Sequence, residues 1–177
     1  MDLYIKDMVC IRCKMAVEVV FNKLKIPFKS IELGRVMVEK ELSAVELDNI
    51  KAGLAHFQLY IIKDRKEIIV ENIKIAISAI FQSDDFKIPG RFTDYLSKRL
   101  FYDYTHLSNI FSELEGSTIE KFYIMKRLDR IKELIVDDNL SITQISDLLG
   151  FSSVSHLCLQ FKKITGKTPS DFKKQIF

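Results

Sequence analysis

Gly150-Phe151-Ser152-Ser153-Val154-Ser155-His156-Leu157-Cys158-Leu159-Gln160-Phe161 decides how the second half of the chain is read, because a similar phrase occurs fifty residues earlier. Slid by 50 positions, Thr93, Phe101, His106, Leu107, Phe111, Gly116, Thr118 and Phe122 fall on Thr143, Phe151, His156, Leu157, Phe161, Gly166, Thr168 and Phe172. Those are eight identities in the 31 pairs from 92/142 to 122/172, several times the chance level. A fixed-period echo signals one structural unit used twice. In the second copy Ser141 caps a short helix through Ile142, Ile145, Leu148 and Leu149, and Gly150 ends it in a left-handed cap. Ser146 provides the small side chain needed where two helices cross closely, and Phe151 plugs the turn. A second helix runs from Ser153 to about Thr165 with Leu157, Phe161 and Ile164 inward, and Thr168-Pro169 starts a last one. The first copy repeats this with Tyr95, Leu100, Phe101, Leu107, Phe111, Leu114 and Gly116, with Leu96 where the second has Ser146. The pattern predicts two helix-turn-helix units.

Between the copies, Thr118 to about Val136 carries Phe122, Met125, Leu128, Ile131, Leu134 and Ile135 at helical spacing without Gly or Pro. About 19 residues at 1.5 Å each make a rod of roughly 28 Å. Half-sites on one face of DNA lie about 34 Å apart, so such a rod suits two recognition helices in successive major grooves. Double-stranded DNA is the expected partner.

Residues 1–82 follow a different pattern. Alternation around Leu3 and Ile5 reads as a strand, Cys13–Leu24 as a helix stopped by Pro27, and 28–33 and 36–40 as a hairpin turning at Gly34-Arg35. Ser43 with Glu46 has capping-box spacing for a helix through Leu47, Ile50, Leu54 and Phe57, and 58–62 is a fourth strand. The order β-α-β-β-α-β is the split pattern of ferredoxin-like domains. An extra helix, 68–81, is apolar on more than one face and is expected to meet a second body, either the C-terminal part or another copy of the chain, the alternative being that it simply caps the first domain. Residues 83–90, with Pro89-Gly90, read as the linker to an all-α domain over 91–177.

Cys10 and Cys13 fall in the turn before the first helix. Helix-start N–H groups lower a thiol pKa, and thiolates select soft ions. Met8-x-Cys10-x-x-Cys13 in this element order resembles the heavy-metal-associated domain of copper chaperones and metal-pumping ATPases, over about 1–62. The resemblance implies Cu(I) or Zn(II) at Cys10 and Cys13. Thiol redox chemistry and a pair with no present role stay as alternatives. Asp7 stands where that family usually has Gly, and His56 where it has a small residue before strand four; His56 is a remote third ligand and more readily a solvated or capping residue. The paired His106 and His156 are expected to serve the fold or backbone contacts rather than a metal.

Composition excludes several classes. At 47% hydrophobic and 29% charged, the chain of 177 residues can bury a core. No apolar run approaches the roughly 20 residues of a membrane span, and the start lacks a secretory pattern, so a cytoplasmic protein is expected. Residues 1–82 and 91–177 each carry a net charge of +2, so nucleic-acid affinity would come from local clusters such as Lys126/Arg127/Arg130, Lys162/Lys163 and Lys173/Lys174, each of which also reads as an ordinary solvated face. No nucleophile–base pair, Gly-rich phosphate loop or set of paired carboxylates points to an enzyme.

Ser141-Ile142-x-x-Ile145-Ser146, Gly150-Phe151-Ser152, Phe161-Lys162-Lys163 and Gly166-x-Thr168-Pro169-x-x-Phe172-Lys173 together resemble the C-terminal signature of AraC/XylS transcriptional regulators, over about 92–174. The resemblance implies a sequence-specific DNA-binding regulator whose N-terminal domain senses or dimerises. A soft metal or thiol state would be the signal at Cys10 and Cys13, and a homodimer would form through the N-terminal domain or the 68–81 helix. The other reading is a metal-binding, chaperone-like module whose helical domain makes protein contacts. Groove-facing positions fall on Tyr104, Thr105, Ser108 and Asn109 in the first unit and Val154, Ser155, Cys158 and Leu159 in the second, with Ser153, Lys162 and Lys163 on backbone. The second set is the more apolar, so the first unit is expected to be the better reader of bases.

Overall fold

A computed structural model describes residues 1–82, 86, 88, 90–137 and 140–175, with only the backbone of Asp137. The 83–90 linker reading lies largely outside the described residues. The N-terminal elements are β1 (Asp2–Lys6), α1 (Ile11–Lys23), β2 (Phe28–Glu32), β3 (Arg35–Val38), α2 (Ala44–Ala55), β4 (Tyr60–Ile62) and α3 (Arg65–Gln82). The four strands form one sheet in the order β2-β3-β1-β4, with each neighbouring pair antiparallel. Leu3, Ile5, Ile31, Val36 and Val38 turn inward from it and meet Val17, Val20 and Phe21 of α1 and Ile50 and Leu54 of α2. The period-two alternation puts these side chains on one face, where the two helices cover them.

Local chemistry fixes the ends of these elements. The Ser43 hydroxyl accepts from the Glu46 N–H while the Glu46 carboxylate accepts from the Ser43 N–H, closing a capping box on α2. Hydrogen bonds from Lys40 and then from Ser43 hold the Glu46 carboxyl down at about 2. Gly34 turns the β2–β3 hairpin at φ 75°, and a Cβ there would come within 2.5 Å of Ile75 Cδ1, so the hairpin turn sits directly on α3.

The helical part comprises α4 (Phe92–Leu100), α5 (Tyr104–Glu115), α6 (Ile119–Asp137), α7 (Ile142–Leu148), α8 (Val154–Thr165) and α9 (Pro169–Lys174). It has its own buried cluster, and α3 belongs to it. Ile69, Val70, Ile73, Ala76, Ile77, Ile80 and Phe81 are buried with Leu96, Leu107, Phe111, Leu128 and Ile131. The apolar face expected to meet either the C-terminal part or a second copy is therefore taken up by α4, α5 and α6 of the same chain. Each fully buried Ile or Phe contributes roughly 1.5–3 kcal/mol, so this seam outweighs the lighter contact of α3 with β1. Among the described residues no helix is long and apolar enough to cross a membrane.

The fifty-residue echo is structural. Leu107 and Leu157 are fully buried, as are Phe111 and Phe161. Phe111 meets Phe122 edge-on at 5.7 Å, and Phe161 meets Phe172 at 5.6 Å. Gly116 and Gly166 both close their helices in the left-handed region, at φ 61° and 79°. Thr118 and Thr168 then each accept from the N–H three residues on, at 3.2 Å. The echo breaks in the turn. The second unit takes its left-handed residue at Gly150 and buries Phe151, whereas the first takes it at Phe101, φ 60°, and leaves that ring 91% exposed. Phe101 does not plug its turn as expected. The left-handed residue falls one position later in the repeat frame, and Tyr102 takes the packed place against His106 instead.

Candidate nucleic-acid interface

In each unit the second helix turns one face to the core and the other to solvent. In α5, Leu107, Ile110 and Phe111 face the core, which turns Thr105 and Asn109 to solvent and leaves Ser108 half-buried. In α8, Leu157 and Phe161 face the core, and Ser155, Leu159, Lys162 and Lys163 are exposed. Spacings of three, four and seven residues put these side chains on one helical face. Val154 and Cys158 are half-buried. Leu159 is 70% exposed, so an apolar side chain stands where a groove-reading surface is expected to be polar.

Two expected contact residues are engaged within the fold. The Tyr104 hydroxyl donates to the Glu120 carboxylate, tying the start of α5 to the start of α6. Burial first, and then this carboxylate, push the phenol well above its ordinary pKa, while the same bond holds Glu120 below the usual carboxylate range. The Ser153 hydroxyl caps α8 by accepting from the His156 N–H at 3.1 Å. Asp103 does the same for α5 through the Thr105 N–H at 2.8 Å. Both helix starts carry the positive end of a helix dipole, a setting that favours phosphate oxygens. The paired histidines pack on turn rings: His106 stacks on Tyr102 at 5.4 Å, and His156 meets Phe151 at 5.6 Å while its Nδ1 lies 3.1 Å from Ser152 Oγ.

The basic cluster on α6 disperses. Arg127 turns inward: its guanidinium lies 3.5 Å from the centre of the Phe151 ring, and its Nη2 donates to the Leu149 carbonyl. Burial draws its pKa below the ordinary value. Sequence reasoning grouped Arg127 with its solvent-facing neighbours and missed this role. The signal was a cation on the linker helix with an aromatic residue just beyond the Gly of the following turn. Arg130 pairs with Glu133 at 2.9 Å, and Lys126 lies over the Phe122 ring at 5.6 Å.

In the N-terminal part Cys10 caps α1, accepting from the Cys13 N–H at 3.5 Å, and the two sulfur atoms lie 2.9 Å apart. Burial raises the Cys10 thiol pKa, but the hydrogen bonds from Cys13 and the Arg12 charge outweigh it and bring the thiol below its ordinary value. Burial and the facing Cys10 sulfur push Cys13 upward. Both cysteines are free. His56 is exposed at the end of α2, and among the described residues no third His, Cys, Asp or Glu joins the pair in a metal-sized cluster.

The helical part matches known proteins. A family model described as a helix-turn-helix domain fits residues 96–175. The Msm operon regulatory protein of Streptococcus mutans is 32% identical over 81 residues, which are 46% of this chain and 29% of that protein. The chain thus spans less than a third of that relative's length. The C-terminal domain of AraT, a response regulator from Geobacillus stearothermophilus, superimposes with a TM-score of 0.54 at 20% identity, covering 63% of this chain and 88% of that one. The DNA-binding domain of the global transcriptional factor AdpA, solved in complex with a target DNA, gives 0.50 at 18% identity, over 60% of this chain and 90% of that one. Residues 96–175 thus match a helix-turn-helix domain model, and the structure hangs their two units on the linker helix α6.

Proposed function

We propose that the chain is a sequence-specific DNA-binding regulator of transcription in the manner of AraC/XylS proteins. A sensing part within 1–82 would be coupled to a DNA-binding part, 91–177, through α3, whose apolar face lies in the helical body. The observation that carries this reading is the doubled unit, with α5 and α8 both exposing polar or basic faces on a continuous α6 of 19 residues. Thr105, Ser108 and Asn109 would read base edges. Asn109 suits adenine, where its amide can both donate and accept. Lys162 and Lys163 would neutralise phosphates, and Ser155, Val154, Cys158 and Leu159 would add weaker, partly apolar contacts. Tyr104 and Ser153 would act by holding α5 and α8 in place. The test is a gel-shift series against DNA selected from a random pool. The expected result is a preferred sequence and a log–log salt slope of about −0.9 per phosphate contacted. Equal affinity for all sequences with a slope near zero would overturn the reading.

The strand order β2-β3-β1-β4 supports a ferredoxin-like, heavy-metal-associated type of N-terminal domain. Two free thiols side by side at a helix start, with Cys10 held below its ordinary pKa, support a soft-ion site there. Two thiolates suit a two-coordinate ion such as Cu(I), whereas a tetrahedral Zn(II) would require further ligands. Replacing Cys10 and Cys13 by Ser should abolish a stoichiometric Cu(I) titration. An unchanged titration in the double variant would remove the metal from the proposal.

A further inference from the structure

Between the cysteine loop and the helical body lies a cleft of about 260 Å³, lined by Val9, Cys10 and Arg12 on one side and by α3 and α6 on the other. Ser78 lines it from α3 and is only 6% exposed, yet its hydroxyl has no hydrogen-bond partner. The buried Arg130 Nε, on α6, likewise donates to nothing. Lys126 and Arg12 add two more cations, and among the described residues neither has an acidic partner. The two carboxylates of the lining are already engaged: Glu133 by Arg130 at 2.9 Å and Asp129 by Lys132 at 3.7 Å. Gln82 spends its amide N–H on the Val9 carbonyl at 3.0 Å, tying the loop to the end of α3.

The cleft therefore offers donors and positive charge without matching acceptors. Buried donors left unmatched are destabilising, a deficit that an incoming acceptor removes. We propose that this cleft is a binding site for a small oxyanion ligand, a carboxylate or a phosphate, held by Ser78, Arg130, Lys126 and Arg12. The volume is that of a site for a small molecule. Such a ligand would bridge the cysteine loop and the linker helix α6, which line the same cleft. The site does not depend on the DNA reading and can be tested without DNA.

The experiment titrates the full chain with inorganic phosphate and, separately, with citrate, at ionic strength held constant with chloride, and follows amide and Arg Nε resonances by NMR. Saturable shifts at residues 78–82 and 126–133 are expected with at least one of the two, and which one saturates tells phosphate from carboxylate. Ser78→Ala and Arg130→Met should each weaken half-saturation by about tenfold, the effect of one charge-assisted hydrogen bond. Arg99→Met, on α4 and away from the cleft, should leave it unchanged. Ser78→Ala removes only one oxygen, so it carries the test if Arg130→Met does not fold. Shifts that stay linear with concentration, or saturate equally in Ser78→Ala, would overturn the site.

Discussion

Arg127 shows how one side chain can set the posture of a whole reading unit. It rises from α6 and stacks 3.5 Å from the centre of the Phe151 ring, and its other end donates to the Leu149 carbonyl beside the left-handed Gly150. A planar guanidinium can do both at once; an ammonium cannot stack and fork in the same way. The turn between α7 and α8 is thus pinned to the linker rather than to its own helices alone. Arg127→Met should cost about 1–3 kcal/mol in denaturant unfolding, for the lost cation–π contact and the orphaned carbonyl. Arg127→Lys should recover little of it. Amide hydrogen exchange should accelerate in α7 and α8 and stay unchanged in α4 and α5. A uniform acceleration across both units would mean that Arg127 is an ordinary core residue.

At the scale of elements, α6 matters for its continuity. Its 19 residues connect two units that share no cap and pack against different neighbours. Replacing the exposed Met125 by Pro removes a backbone donor and crowds the preceding turn, at about 3 kcal/mol, and kinks the rod. Met125→Gly costs about 1 kcal/mol and keeps it straight. On DNA carrying both selected half-sites, Met125→Pro should fall toward the affinity of a single half-site, while Met125→Gly stays within about threefold of the parent. Equal losses in the two variants would show that stability, not geometry, sets the affinity. The helices, their caps and the repeat were legible in the sequence because periodicity, Ser43, Ser141 and Gly166 act locally. The slip that exposes Phe101, the inward turn of Arg127 and the allegiance of α3 were not. Each is decided by what a distant segment offers: Tyr102 beside His106, Phe151 across the turn, and the apolar faces of α4, α5 and α6.

The two parts of the molecule are joined by charge as well as by the apolar seam. Lys74 of α3 is buried, and its ammonium lies 3.0 Å from Glu71, 2.8 Å from Glu115 at the end of α5 and 3.9 Å from Asp7 at the base of the cysteine loop. Glu71 is buried too and also accepts from the Asp7 N–H at 2.7 Å. One cation therefore links the loop that carries the thiols to the helix proposed to read DNA. Burial draws the Lys74 pKa down, but the bonds to Glu115 and Glu71 outweigh it and leave it above the ordinary value. Burial pushes Glu71 above the usual carboxylate range, against the pull of the Asp7 N–H and Lys74. Both folded-state values being raised, both contributions are complete below the ordinary pKa and fade as pH climbs through the folded one. For Glu71 that window opens just above the usual carboxylate range, and for Lys74 above about 10. Lys74→Met should cost about 3–5 kcal/mol near neutral pH, because Glu71 is left buried with only one backbone donor. The cost should shrink on acidification, as Glu71 takes up a proton. Lys74→Met combined with Glu71→Gln removes the stranded charge and should return to within about 1–2 kcal/mol of the parent. Urea midpoints from mildly acidic to alkaline pH measure all of this, and a double variant no more stable than Lys74→Met would show that Glu71 is not the group left stranded.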